Sequence, residues 1–289
     1  MRRLPGLFLA MSCSTALLAA QEPPVPVGIV SSPCPPPVAM PASVREQLTT
    51  MLIEPRPDPG AQPVIVNPGD NPEFGEYLAA INGNAIQDWP RLCRFRAAND
   101  DLINRGVQPG VVFMGDSITE NWLLGDPDLF DDNFVNRGIS AQTTPHMLLR
   151  FRNDVIDLQP RIVHILAGTN DVAGNTGPTR PQDFKNNIMS MVELARASGI
   201  AVILGSILPA NRFYWSPDMR PAARIRELNT WLQQYAADHG LAYIDYYGAL
   251  AGPDGELRPT LGNDGVHPNR AGYVIMRQLL EAQLAALVN

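Results

Sequence analysis

The sequence predicts an α/β fold in which a mostly parallel sheet is covered by helices on both faces. Three observations carry this. Short runs that are apolar throughout recur from about residue 110 onward. Amphipathic segments with readable caps lie between them, and the polar, Gly-bearing stretches follow successive apolar runs. Strands without polar alternation are buried on both faces, as in parallel sheets flanked by helices.

Val111-Val112-Phe113-Met114, bounded by Gly110 and Gly115, is the first strand. Phe134-Val135 is a weaker one, Arg161 to Ala167 a strong one, and Ala201 to Leu204 and Leu241 to Ile244 complete the set. Thr144-Pro145 opens a helix that Pro160 closes. Pro181 opens another, with Phe184, Ile188, Met191, Val192 and Ala195 on one face and Ser198-Gly199 at its end. Pro221 opens a third that stops at Gly240, and Pro268 opens the last. Reactive groups in such sheets gather beyond the carboxyl ends of the strands. Here that edge would collect Gly115-Asp116-Ser117, residues 136–144, Gly168-Thr169-Asn170-Asp171 and residues 206–221. No internal repeat is present.

Before this region the chain has a different character. Arg2 and Arg3 precede an apolar run from Leu4 to Ala20, and Gln21-Glu22-Pro23-Pro24 follows without a cationic stop. The run is short for a bilayer span and is expected to be a cleavable signal over residues 1–20. Ala10-Met11-Ser12-Cys13 is a poor match to a lipoprotein signal, so a secreted or periplasmic protein is expected. Residues 21–72 hold 14 of the 28 prolines and are expected to form an extended extension, with one short helical candidate at Ala42 to Ile53. Residues 73–109 form an ordered lead-in, and residues 110–289 the main domain. Signal removal leaves Cys34 and Cys93, which can pair in an oxidising compartment or remain as thiols.

The chain has 289 residues and a formal net charge of −7, and it lacks the clustered Lys and Arg that nucleic acid or anionic membranes require. Neither cysteine has metal-ligand spacing. Gly115 to Thr119 lacks the lysine and second glycine of a phosphate-binding loop, and no GxGxxG follows a strand.

The chemistry rests on two distant segments. Ser117, directly after the first strand, sits where a strand-to-helix turn presents its hydroxyl at the sheet edge and its own N–H towards a developing oxyanion. Serine needs an adjacent base to act as a nucleophile. Asn263-Asp264-Gly265-Val266-His267-Pro268 supplies one, because an Asp three residues before a His can accept from Nδ1–H and leave Nε2 to take the serine proton. Of the other histidines, His164 lies in an apolar strand, His239 near a helix end, and His146 at a helix start expected to be exposed. Asp116, Asp264 and His267 as metal ligands lack a familiar spacing and leave the serine unexplained, so no metal is expected.

Gly115-Asp116-Ser117, Gly168-Thr169-Asn170-Asp171 and Asp264-Gly265-Val266-His267 resemble, in order, spacing and strand context, the motif blocks of the SGNH (GDSL-type) hydrolases. The resemblance covers roughly residues 110–285. It implies a three-layer α/β/α, flavodoxin-like fold and hydrolysis of esters or thioesters without a cofactor. Carried over, Ser117 is the nucleophile, His267 the base and then acid, Asp264 its orienting partner, and Asn170 a side-chain donor to the oxyanion hole beside the Ser117 N–H. The family's glycine donor falls, five residues after Asn136, on Ala141. An alanine keeps the N–H, but a turn with positive φ would cost it about 1 kcal/mol or more. Gly138 is the second candidate for that donor.

Substrate class is less legible. Phe213-Tyr214-Trp215, after the fourth strand, could form a platform for a sugar ring or an acyl wall, or fill a local core. No long hydrophobic lid is evident, so short-acyl esters such as acetylated carbohydrate are expected. A feeble enzyme serving as a glycan-binding or envelope-tethered module, a lysophospholipase- or thioesterase-type hydrolase, and acyl transfer to a sugar are the alternatives.

Overall fold

The structure is a computed structural model that describes residues 28–62 and 67–288. The expected signal over residues 1–20 lies outside the described residues. The chain divides into two compact units, Met1–Cys34 and Pro35–Asn289. In the first, residues 28–34 are exposed or half-buried and without regular structure. Among the described residues, every helix and strand lies in the second.

Five strands form one parallel sheet: β1 Val111–Gly115, β2 Phe134–Gly138, β3 Ile162–Leu166, β4 Ala201–Gly205 and β5 Ala242–Ile244. Their order is β2-β1-β3-β4-β5, the flavodoxin-like order with a switch point beside β1. Gly115 pairs with Gly138 on one side and with Leu166 on the other, so β1, β2 and β3 end level and their following loops open on one edge.

The helices, in chain order, are α1 Ala42–Leu48, α2 Pro72–Gln87, α3 Arg96–Asn104, α4 Ser117–Gly125, α5 Thr144–Asp154, α6 Thr169–Ala173, α7 Pro181–Ala197, α8 Ala222–Asp238, α9 Tyr246–Leu250 and α10 Arg270–Val288. Strand side chains alternate between faces. Val112 and Met114 point into one core with Met147 and Phe151 of α5, Met191 of α7 and Leu228 of α8. Val111 and Phe113 point into the other, with Trp122 of α4 and Tyr273, Met276 and Leu280 of α10. The sheet is thus covered on both faces, as its uninterrupted apolar strands require.

Within the Pro-rich segment, the short helical candidate at Ala42 to Ile53 is helical. After α1 the chain tightens into a π turn, Thr49–Ile53, and buries Leu52 and Ile53 in the second core. Asn263 Nδ2 donates to the carbonyls of Met51 (3.0 Å) and Glu54 (2.8 Å), and Arg270 pairs with Glu54 at 2.6 Å. Apolar contact and satisfied backbone carbonyls hold this part of the extension against the loop that carries Asp264. Cys34 and Cys93 are both disulfide-bonded.

Candidate active site

The turn after β1 sets the position of Ser117. Asp116 is the N-cap of α4, its side chain accepting from the Ile118 N–H at 2.9 Å, and Ser117 is the first helical residue. The Ser117 N–H, one of the orphan donors of a helix start, donates to no acceptor among the described residues. Its hydroxyl lies 2.8 Å from His267 Nε2.

The turn before α10 brings the histidine. Asp264 Oδ1 accepts from the N–H groups of Val266 (2.9 Å) and His267 (2.8 Å), and Oδ2 lies 2.6 Å from His267 Nδ1. One carboxylate therefore fixes both the loop and the ring. Burial opposes the ionised form of Asp264, but His267 and the two N–H groups outweigh it and hold the carboxyl below its ordinary range. For His267, burial favours the neutral ring, yet the Asp264 charge and hydrogen bond, with a smaller contribution from Asp116, raise its pKa. Asp116 is itself buried, which pushes its pKa up to about 6.

Two further donors flank the serine. Ala141 has φ of 65°, in the left-handed region that glycine adopts freely and an L-residue only at a cost of about 1–2 kcal/mol. Its N–H also donates to no acceptor among the described residues. The N–H of Gly138 is committed to Asn136 Oδ1 at 2.9 Å, so Gly138 has no donor to offer. A side chain there is excluded as well, because a Cβ would lie 2.2 Å from the Glu120 nitrogen. The strained turn is held from both flanks. Ser140 donates through N (2.8 Å) and Oγ (2.6 Å) to Glu120 Oε2, whose other oxygen pairs with Arg94 at 3.2 Å. Gln142 accepts from Arg150 Nε at 2.6 Å, and buried Arg150 also donates to the Gly115 carbonyl at 3.0 Å and pairs with Asp154 at 2.9 Å.

Asn170 enters from the turn after β3. Gly168, with φ of 124°, makes that turn, and a Cβ on it would meet Ile207 at 2.6 Å. Asn170 Nδ2 donates to the Gln142 carbonyl (3.0 Å) and more weakly to Asp116 Oδ2 (3.3 Å), while its oxygen accepts from Asn175 at 2.6 Å. Neighbouring Asp171 accepts from the Thr144 N–H at 3.0 Å and so ties α6 to the start of α5.

Ser117, Ala141, Asn170, Asp264 and His267 all border one cavity of about 580 Å³. The aromatic loop divides. Tyr214 and the half-exposed Trp215 border the cavity, and Trp215 Nε1 donates to Asn175 at 2.8 Å. Phe213 is wholly buried under Trp215, its ring stacked at 5.1 Å, so as a substrate-binding residue it is corrected to a core residue. Outside the cavity, His164 is buried against the Tyr246 hydroxyl at 3.0 Å, its pKa pushed down to about 3 by burial. His239 Nδ1 lies 2.9 Å from the Tyr235 carbonyl at the end of α8. His146, expected at the surface, is half-buried, 2.9 Å from the Thr143 hydroxyl and edge-on to Trp89.

Residues 113–275 match the model of the GDSL-like lipase/acylhydrolase family. The chain belongs to this family. Among solved structures, this GDSL-type chain is similar to a proposed acylhydrolase of Bacteroides fragilis, at 40% identity and a TM-score of 0.66 over 70% of this chain and 99% of the other. A GDSL-like lipase of Bacteroides thetaiotaomicron is 41% identical, with a TM-score of 0.65 over 68% and 98% of the two chains. The chain is also 40% identical over 123 residues to YqeF of Bacillus subtilis strain 168, named an uncharacterized lipoprotein. That match covers 36% of this chain and 50% of the relative, so the chain spans about half the length of that relative.

Two parts of the site were not legible beforehand. Glu120 reads in sequence as an acidic residue in a helix's first turn, and nothing local links it to Ser140 twenty residues on. Apolar residues of 40–81 also line the cavity, although the helical candidate at Ala42 to Ile53 and the ordered lead-in from 73 gave no sign of reaching the serine. Among the described residues, no helix is long and apolar enough to cross a membrane.

Proposed function

We propose that the protein is an exported carboxylic ester hydrolase working through an acyl-serine intermediate. The hydrogen-bonded series Asp264–His267–Ser117, at 2.6 and 2.8 Å, carries this reading. Ser117 Oγ attacks the ester carbonyl carbon and its proton passes to His267 Nε2. The carbonyl oxygen, now an oxyanion, accepts from the N–H groups of Ser117 and Ala141. Asn170 joins them by giving up its longer contact to Asp116. Collapse breaks the bond to the alcohol oxygen, which leaves with the proton from His267. Water then attacks the acyl carbon and passes a proton to His267, and collapse releases the acid as His267 returns the proton to Ser117 Oγ. No cofactor enters these steps.

Two observations support export. The basic start and apolar run of residues 1–20 have the pattern of a signal. Disulfide-bonded Cys34 and Cys93 suit an oxidising compartment. Asn175 and Trp215 border the cavity and suit the carbohydrate of an acetyl ester, but such an ester leaves much of the apolar lining unused.

The test is hydrolysis of p-nitrophenyl acetate, butyrate and octanoate by the wild type and by Ser117→Ala, with mass spectrometry after a p-nitrophenyl phosphonate. Hydrolysis and a single phosphonyl adduct, both lost in Ser117→Ala, are expected. Equal rates for both proteins, or labelling elsewhere, would refute the assignment of Ser117.

A further inference from the structure

The cavity at Ser117 is walled in part by residues that lie outside the matched family region. Met40, Leu48, Leu52, Phe74, Leu78 and Ile81, from around α1, the π turn and α2, line it together with Ile139 and Val266. Leu48, Leu78 and Ile81 are only half-buried, so apolar surface remains open at this wall. The elements are held in place. Ser43 of α1 donates to Glu73 of α2, and Asn263, beside Asp264, fixes the turn after α1 through two carbonyls at 3.0 and 2.8 Å. Arg91 Nη1 donates to the carbonyl of Ile81 within α2.

We infer that this wall is an acyl-chain site, and that the substrate is an ester of a medium-chain fatty acid of about six to twelve carbons. The inference rests on Ser117 being the nucleophile. A cavity of about 580 Å³ lies within the range of pockets that enclose a whole small ligand, about 300–1,000 Å³, and exceeds what an acetyl group occupies. Trp215, half-exposed and bonded to Asn175, borders the same cavity. The alcohol must depart while the acyl group stays on Ser117, so the apolar lining suits the group retained. This replaces the short acyl group that the absence of a legible lid suggested.

Each methylene moved from water to an apolar wall is worth about a fourfold gain in binding. The wild type should therefore show kcat/KM at least tenfold higher for p-nitrophenyl octanoate than for the acetate. Leu78→Trp, which fills the wall, should lower the octanoate-to-acetate ratio at least tenfold, and Ile81→Trp should do the same. Calorimetry with decanoate on Ser117→Ala, alone and with Leu78→Trp, tests the wall without turnover. Decanoate should bind the former at least tenfold more tightly. A ratio unchanged by both tryptophans, or decanoate binding that ignores Leu78→Trp, would overturn the inference even if hydrolysis depends on Ser117. Hydrolysis that persists in Ser117→Ala, with decanoate binding still weakened by Leu78→Trp, would instead remove the nucleophile assignment and leave the apolar site standing. A response to the length of the alcohol chain, in place of the acyl chain, would reverse the orientation and refute the acyl assignment.

Discussion

Glu120→Ala should disable the oxyanion turn while leaving Ser117, His267 and Asp264 in place. Ala141 is held at φ of 65°, a conformation that costs an L-residue about 1–2 kcal/mol and persists only where surroundings over-determine it. On one flank the surroundings are the two hydrogen bonds from Ser140 to Glu120 Oε2, at 2.8 and 2.6 Å, and on the other the Arg150 bond to Gln142 at 2.6 Å. Bonds to a charged group contribute about 1.5–3 kcal/mol each when shielded. Ser140 is exposed, so water recovers part of that and the pair is taken as about 2–3 kcal/mol together. This exceeds the strain, and its removal lets residue 141 leave the left-handed region and swing its N–H away. Loss of one oxyanion donor typically lowers kcat by about 10²–10³-fold, and a displaced donor should lie at or below the lower end of that range. The double variant Glu120→Ala/Ala141→Gly removes the strain, so it should regain about 1 kcal/mol, roughly fivefold in kcat, over Glu120→Ala. The assay is kcat for p-nitrophenyl acetate across this pair and the wild type, with urea denaturation to show that all three are folded. A wild-type kcat for Glu120→Ala, or no recovery on adding Ala141→Gly, would refute the reasoning.

Asp264→Asn removes the acceptor that orients His267 and should lower kcat by about 10⁴-fold while the fold survives, measured by single-turnover hydrolysis and circular dichroism. The base must be neutral imidazole, and the Asp264 and Asp116 charges raise the pKa of His267 against the effect of burial. Activity should therefore be lost as pH falls, with the acid limb of kcat/KM centred above 6.5; Asp116→Asn should move that limb to lower pH. Asp116 also bears on stability. Burial raises its pKa from 3.8 to about 6, so its ionised form is the disfavoured one and the stability it contributes is lost as pH rises from about 4 through 6. Urea midpoints should show Asp116→Asn gaining on the wild type between pH 4 and pH 8.

Much of the fold was readable because its signals are local. An apolar strand buried on both faces and a helix opened by Pro and closed by Gly each depend on a few adjacent residues, and Val111–Gly115 and Pro181–Ala197 lie within a residue or two of where those signals place them. The motif positions were readable for the same reason, since Asp264 and His267 meet through a turn three residues long. Other features need pairings that no spacing encodes. The position of Ala141 five residues after Asn136 was readable, but its positive φ was not, because the contacts that hold it come from Glu120 and Arg150, distant in sequence. Phe213 and Trp215 are chemically alike in sequence, and only the stack between them decides which is covered.

The N-terminal segment shows how tertiary contacts reward the one long stretch of it that the sequence left free of proline. Ala42–Leu48 and the turn after it place Val44, Leu52 and Ile53 in buried positions. Burying such side chains is worth about 1.5–3 kcal/mol each at most, enough to offset the ordering of a few residues but not of a long loop. Asn263 supplies the rest by satisfying two carbonyls of the turn, and it does so from the residue preceding Asp264. The wall of the cavity and the carboxylate that orients His267 therefore share one anchor. Asn263→Ala should loosen both together. It should lower kcat for p-nitrophenyl acetate through His267 and lower the octanoate-to-acetate ratio through Leu48 and Leu52. Leu78→Trp should shift the ratio through the wall alone. If Asn263→Ala changed kcat and left the ratio intact, the segment would be placed by its apolar contacts alone, and the coupling through Asn263 would be wrong.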